Sequence, residues 1–164
     1  MTLFQAVLLL ATLLCALVAG LLFAFAVVIM PGIRSLDDGG FIRAFQVIDR
    51  VIQNNQPLFI LVWAGSVPAV VAATVLGVWT LDTAGSLLIA AAALFYLFGV
   101  QLPTFAINIP LNNGIQRLDV DAMTEAARSR AREIFEGRWN RWNVVRTACA
   151  TLASLVLMLL LLRA

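Results

Sequence analysis

The sequence has no histidine, and its eleven basic residues are all arginine, so lysine is missing as well. The first absence excludes histidine-ligated haem, histidine zinc sites and a Ser-His-Asp triad. The second excludes a P-loop lysine and a Schiff-base lysine. Charge of either sign is scarce, 12% of 164 residues with a net of +2. So small an excess argues against nucleic acid as a partner. Cysteine is limited to Cys15 and Cys149, each inside an apolar run, with no CxxC pair and no disulfide framework. Both are expected to be reduced, unpaired small hydrophobes.

What is abundant is apolar side chain, 62% of the chain, against roughly 45–50% in soluble domains. With so few charges the chain reads as an all-α membrane protein. Four apolar runs stand out: Leu3 to Met30, Leu58 to Thr80, Ser86 to Ile109 and Trp142 to Leu162. Each is long enough to cross a hydrocarbon core of about 30 Å at 1.5 Å per residue. The first is too long for a signal-peptide core and is read as a retained helix. Pro31-Gly32 is expected to stop it and Pro110 to close the third. The expected architecture is one four-helix transmembrane domain over residues 1–164.

Two longer connections have amphipathic patterns. In the first, Phe41, Phe45, Ile48 and Ile52 make an apolar stripe, with Arg43 and Arg50 elsewhere. In the second, Met123, Ala127, Ile134 and Phe135 make the stripe, with Arg128, Arg132 and Glu136 outside it. Both are expected as interfacial helices capping the bundle. They also hold nearly all the arginine, whereas the turn between runs two and three carries only Asp82. The positive-inside rule then puts both connections in the cytoplasm and both termini outside, with the chain in the inner (cytoplasmic) membrane. Arg163 is a weak vote against. Gly32-Ile33-Arg34-Ser35-Leu36-Asp37 echoes Gly114-Ile115-Gln116-Arg117-Leu118-Asp119, a faint internal repeat or a coincidence.

Small residues recur every four positions at Gly65, Ala69, Ala73 and Gly77, and at Ala16, Gly20 and Ala24. This spacing lets helix backbones approach closely in lipid, within one bundle or between subunits of a homo-oligomer. Membrane lipids are the other expected partners.

Polar residues at membrane depth are costly and therefore informative. They gather toward the cytoplasmic end. Gln101 and Asn108 are seven apart and so share a face; Asn112 and Asn113 follow Pro110. Asn143, Arg146 and Thr147 share a face of the fourth run, and Asn54 joins them from the start of the second. Trp139, Arg138 and Arg141 are read as interfacial anchors. Arg146 lies about one turn inside the Trp142 boundary with no carboxylate at four-residue spacing. It is expected to face a polar interior shared with Asn108 and Asn112, in a pocket whose apolar wall is Trp142.

Two strings carry a resemblance. Asn108-Ile109-Pro110-Leu111-Asn112-Asn113 and Trp139-Asn140-Arg141-Trp142-Asn143-Val144-Val145-Arg146-Thr147 resemble signatures of the anthrone-oxygenase-like family of integral membrane proteins. The likeness extends over nearly the whole chain, from the helix ending in Met30-Pro31 through the first amphipathic segment and the glycine-rich second run. The resemblance implies insertion of oxygen into an anthrone, a flat tricyclic ketone whose anion can pass an electron to dioxygen directly. No cofactor and no metal is then expected. Arg146, Asn108 and Asn112 become candidate catalytic donors, and Trp142, Asn143, Thr147, Gln101 and Asn54 candidate ligand-binding residues. A proton acceptor is not assigned: Asp49 qualifies only if the first connection folds over the bundle mouth, and water is the alternative. Two other readings stay open, a non-enzymatic protein that binds or moves a lipid or quinone, and a structural four-helix module.

Overall fold

The computed structural model describes residues 1–163. These form helices joined by short turns, with no strand among the described residues. Helix α1 spans Leu3–Arg34, α2 Asp38–Gln53, α3 Pro57–Thr80, α4 Thr83–Gln116 and α5 Glu125–Leu161. All but α2 are long and apolar enough to cross a membrane. Their outer faces are apolar too: Leu13, Phe23, Val75, Phe98 and Leu155 are all exposed. Water tolerates such a belt poorly, whereas lipid accepts it.

Neither Pro31 nor Pro110 ends its helix. Each is reached through a π-helical turn, Phe25–Ile29 before Pro31 and Thr104–Asn108 before Pro110. A third, Leu97–Gln101, precedes Pro103 in the same way. A proline ring collides with the carbonyl four residues earlier and offers no N–H. Here those carbonyls belong to Val27, Gly99 and Ala106, all inside π turns. The wider turn shifts bonding to the carbonyl five residues back, as in Met30 N–H to Phe25 and Ile109 N–H to Thr104. The helix therefore absorbs the proline and runs on. The two π turns before Pro31 and Pro110 also lie just ahead of the two echoing segments, so the halves share a local construction as well as a few residues.

The second amphipathic segment is not a separate helix. It is the first part of α5, which runs unbroken for 37 residues. Between Glu125 and Trp142 only Gly137 disfavours helix, at about 1 kcal/mol, and alanine, arginine and glutamate dominate the rest. Its buried stripe also differs from expectation. Phe135 and Trp139 are buried, Ile134 is 61% exposed, and Arg132 points inward. Arg132 caps the end of α1 by donating to the carbonyls of Arg34 and Leu36, 2.8 and 2.9 Å away, and it pairs with Asp38 and Glu136.

The bundle core has two parts. Toward the chain termini, Phe4, Leu8, Ala73, Ile89, Leu157 and Leu160 pack together. The small residues of α3 serve this packing: a side chain at Gly77 would meet Ile89 Cδ1 at 2.7 Å. Gly20 on α1, by contrast, faces open space. At the other end α2 lies across the bundle on Phe41, Ile42 and Phe45. Phe45 meets Phe135 and Trp139 edge-on, with ring centroids 4.6 and 5.5 Å apart. Gln46 donates to the carbonyls of Ile115 and Leu118, 2.8 and 3.0 Å away, which fastens α2 to the end of α4. Outside, the Arg43 guanidinium is bonded to Asp121 and holds that carboxyl below the usual carboxylate range.

Candidate functional site

The lid position of α2 closes a cavity of about 170 Å³ between the helices. Its wall is mostly apolar, with Leu21, Leu22, Phe25, Phe45, Phe105 and Ile109 among its residues. Five polar side chains interrupt it from α4 and α5: Thr104, Asn108, Asn112, Asn143 and Arg146. A sixth, Asp49, comes from α2, and the indoles of Trp63 and Trp139 complete it.

Arg146 is 4% exposed. Its Nη1 donates to Thr104 Oγ1 at 3.1 Å and its Nη2 to Asn143 Oδ1 at 3.0 Å. The guanidinium carbon lies 5.7 Å from the centroid of the Trp139 ring, within cation–π range. Its Nε is buried with no partner. Thr104 can accept because its own hydroxyl proton goes to the Val100 carbonyl at 2.7 Å. Asn143 is oriented by its amide, which donates to the Leu22 carbonyl at 3.0 Å, just ahead of the π turn of α1. Asn108, the last residue of its π turn, reaches the Trp139 carbonyl only at 3.5 Å and leaves its Oδ1 buried without a partner. The cavity wall thus contains one residue with an idle donor and one with an idle acceptor.

The other charge in the wall is negative and is linked to the indole N–H of Trp139 through Asn112. Trp139 Nε1 donates to Asn112 Oδ1 at 2.7 Å, and Asn112 Nδ2 donates to Asp49 Oδ1 at 2.8 Å. Gln53 and Gln116 donate to Asp49 Oδ2 at 2.7 and 2.9 Å. Asp49 is 2% exposed.

Of the residues singled out in the sequence, Arg146, Asn108, Asn112 and Asn143 all line this one cavity. The other four lie off its wall. Trp142 is half-buried one turn round α5 from Trp139, and Trp139, read as an anchor, is the indole that forms the wall. Thr147 donates to the Asn143 carbonyl. Asn54 is exposed at the C-terminal end of α2. Gln101 accepts from Trp63 Nε1 at 3.0 Å, beside the cavity and not in it. The seven-residue spacing from Gln101 to Asn108 assumes a uniform α-helix. The π turn Thr104–Asn108 inserts an extra residue and rotates the register by about 100°.

Sequence reasoning misses Thr104, and it admits Asp49 only if the first connection folds over the bundle mouth, as α2 does. Asp49 had a signal: Phe41, Phe45 and Asp49 are spaced by four, so the carboxylate sits on the apolar stripe of α2. Thr104 stands four residues before Asn108, on a helix whose π turns the sequence does not announce.

Among the described residues, no group of three or more Cys, Asp or Glu side chains is placed to hold a metal ion. Both cysteines are free, Cys15 buried in the core and Cys149 against Gly99. No curated protein and no solved structure matches the chain. The anthrone oxygenase family does match, over residues 56–156, which takes in every polar residue of the cavity except Asp49. By that match the chain belongs to the anthrone oxygenase family.

Proposed function

We propose that the cavity binds a flat, hydroxylated aromatic ketone of the anthrone type, and that the protein is a membrane-embedded oxygenase acting on it without a cofactor. The observation that carries this reading is Arg146, a buried guanidinium in a largely apolar cavity with its Nε unsatisfied. An arginine at membrane depth is costly, and an unused donor adds to the cost. A ligand oxygen would satisfy it after a small shift of the side chain, because Nε does not open onto the cavity as it stands. Charge builds on that oxygen when an anthrone loses a ring-methylene proton, so a fixed guanidinium stabilises the anion more than the neutral ketone. The idle Asn108 Oδ1 suits a phenolic hydroxyl next to the ketone. Phe25, Phe45 and Trp139 offer flat apolar walls.

The position of the cavity and the polar groups in its wall favour such a molecule over a lipid chain. Phe105 and Ile109 belong to its wall and are exposed on the outer face of α4, which gives an apolar substrate a route from the bilayer. The arginine-rich end of the bundle, with the cavity beneath it, belongs on the cytoplasmic side of the inner membrane, and both termini on the other.

The test is oxygen consumption by the purified protein in lipid nanodiscs with a dihydroxyanthrone, measured beside protein-free autoxidation. Quinone formation faster than autoxidation, one dioxygen per quinone, is the expected result. Saturable binding with no added turnover would make the protein a binding module, and neither would make it a structural one.

A further inference from the structure

Asp49 is the second charged group in the cavity wall, and the reading above gives it no task. Burying a carboxylate costs several kcal/mol unless a cation joins it. No arginine does: the ion pairs among the described residues are Arg34 and Arg132 with Glu136, Arg43 with Asp121, and Arg132 with Asp38. Arg146, on the same cavity, is not paired with it. Three neutral amides hold Asp49 instead.

Those amides leave a defined opening. A carboxylate presents about four lone-pair positions. Gln53 and Gln116 occupy Oδ2, and Asn112 occupies one side of Oδ1. One position on Oδ1 remains, and a proton arriving there breaks none of the three bonds. The orientation of Asn112 is fixed, because its own oxygen accepts from Trp139 while its nitrogen faces Asp49.

The two charges are not in contact with each other, as the substrate class requires. In an anthrone the ketone oxygen and the acidic methylene lie on opposite edges of the central ring. An oxyanion donor and a proton acceptor serving both must therefore stand apart, not in contact. Arg146 lies over one side of the Trp139 ring, and Asp49 is reached from the indole N–H through Asn112.

The geometry points to Asp49 as the proton acceptor for the ring methylene of an anthrone-type ketone whose oxygen is held at Arg146. This assignment rests on the oxygenase reading. The methylene C–H bond breaks, its electron pair enters the ring system and the ketone oxygen, and the proton forms an O–H bond at Asp49 Oδ1. The anion passes one electron to dioxygen, and the resulting radical and superoxide join through a C–O bond. The peroxide anion takes the proton back from Asp49. The O–O bond of the hydroperoxide then breaks, its outer OH leaving as water with the second methylene hydrogen as the proton, and the C–H pair forms the C=O bond of a quinone. One oxygen atom of dioxygen ends in the quinone and the other in water, and Asp49 is again a carboxylate.

The experiment separates proton removal from oxygen chemistry. Under anaerobic conditions in deuterated buffer, exchange of the methylene hydrogens of a dihydroxyanthrone is followed by NMR for the wild type and Asp49→Asn, and oxygen uptake is measured in parallel. The wild type is expected to accelerate exchange, and Asp49→Asn to slow it by roughly 10²–10⁴-fold while still binding the quinone product, read by tryptophan quenching. Wild-type exchange that Asp49→Asn loses, with no oxygen uptake by either protein, would uphold Asp49 and sink the oxygenase reading. Exchange retained by Asp49→Asn would overturn the base and leave the oxygenase standing, and no wild-type exchange would overturn Asp49 outright. If Asp49→Asn fails to fold, Asp49→Glu keeps the charge and the amide partners but displaces the oxygen. It is expected to slow exchange by about 10²-fold, and an unchanged rate would overturn the assignment.

Discussion

Arg146 shows how one residue can be held firmly and still have a hydrogen bond to give. Two of its nitrogens are fixed by Thr104 and Asn143, which are themselves fixed by the Val100 and Leu22 carbonyls. The Nε is left over. Lysine at this position keeps the charge but loses the planar fork. Arg146→Lys should weaken binding of a hydroxyanthraquinone by about 1.5–3 kcal/mol, the usual value of a charge-assisted hydrogen bond. Its melting temperature in detergent should change little, since both acceptors can be reached by an ammonium. A variant that unfolds in detergent would identify Arg146 as structural glue. That Arg146 faces inward was legible in the sequence, because a lone arginine one turn inside a helix entrance has few other tolerable environments. Its wall partner was not. Trp139 and Trp142 are both tryptophans near a helix entrance, and only the docking of Phe45 on α2 decides which is covered.

At the scale of the helix, the π turns position the site. They supply Thr104 and Asn108 directly and let α4 pass two prolines without ending. Sequence patterns assume 3.6 residues per turn, so they place helices well and side chains beyond a π turn badly. This is why Pro110 reads as a terminus and Gln101 as a cavity residue. The turn Leu97–Gln101 also brings Gly99 against α5: a Cβ there would lie 2.5 Å from Cys149 Sγ and 2.6 Å from its Cβ. Gly99→Ala should therefore cost about 1–3 kcal/mol by overpacking. Cys149→Ala should not relieve it, because the offending Cβ remains. Cys149→Gly should recover most of the loss despite roughly 1 kcal/mol for a helical glycine. Thermal unfolding of the two double variants decides the matter. Equal stability of the pair would mean the helices separate to accommodate the methyl group.

For the whole molecule, four spans and two capping segments are visible in composition alone, because lipid demands long apolar runs and leaves arginine to the ends. The site needs more than that. Its sixth polar residue comes from α2, more than fifty positions away in sequence from Asn112, and reaches the cavity only because Phe41, Ile42 and Phe45 dock across the bundle. Both termini and the turn at Asp82 share the opposite end, where Thr2, Phe4, Leu81 and Arg163 line a common groove. Apart from the buried Arg146 and the terminal Arg163, every arginine lies at or beyond the α2 end of the spans. Arginine near a span is retained in the cytoplasm, so that end should face inward. With Cys15 and Cys149 replaced by alanine, single cysteines at Thr83 and Arg130, both exposed, report the two sides. A membrane-impermeant maleimide on intact cells should label Thr83→Cys at once and Arg130→Cys only after lysis. The reverse pattern would turn the bundle over and place the cavity, with any substrate it draws from the bilayer, in the outer leaflet.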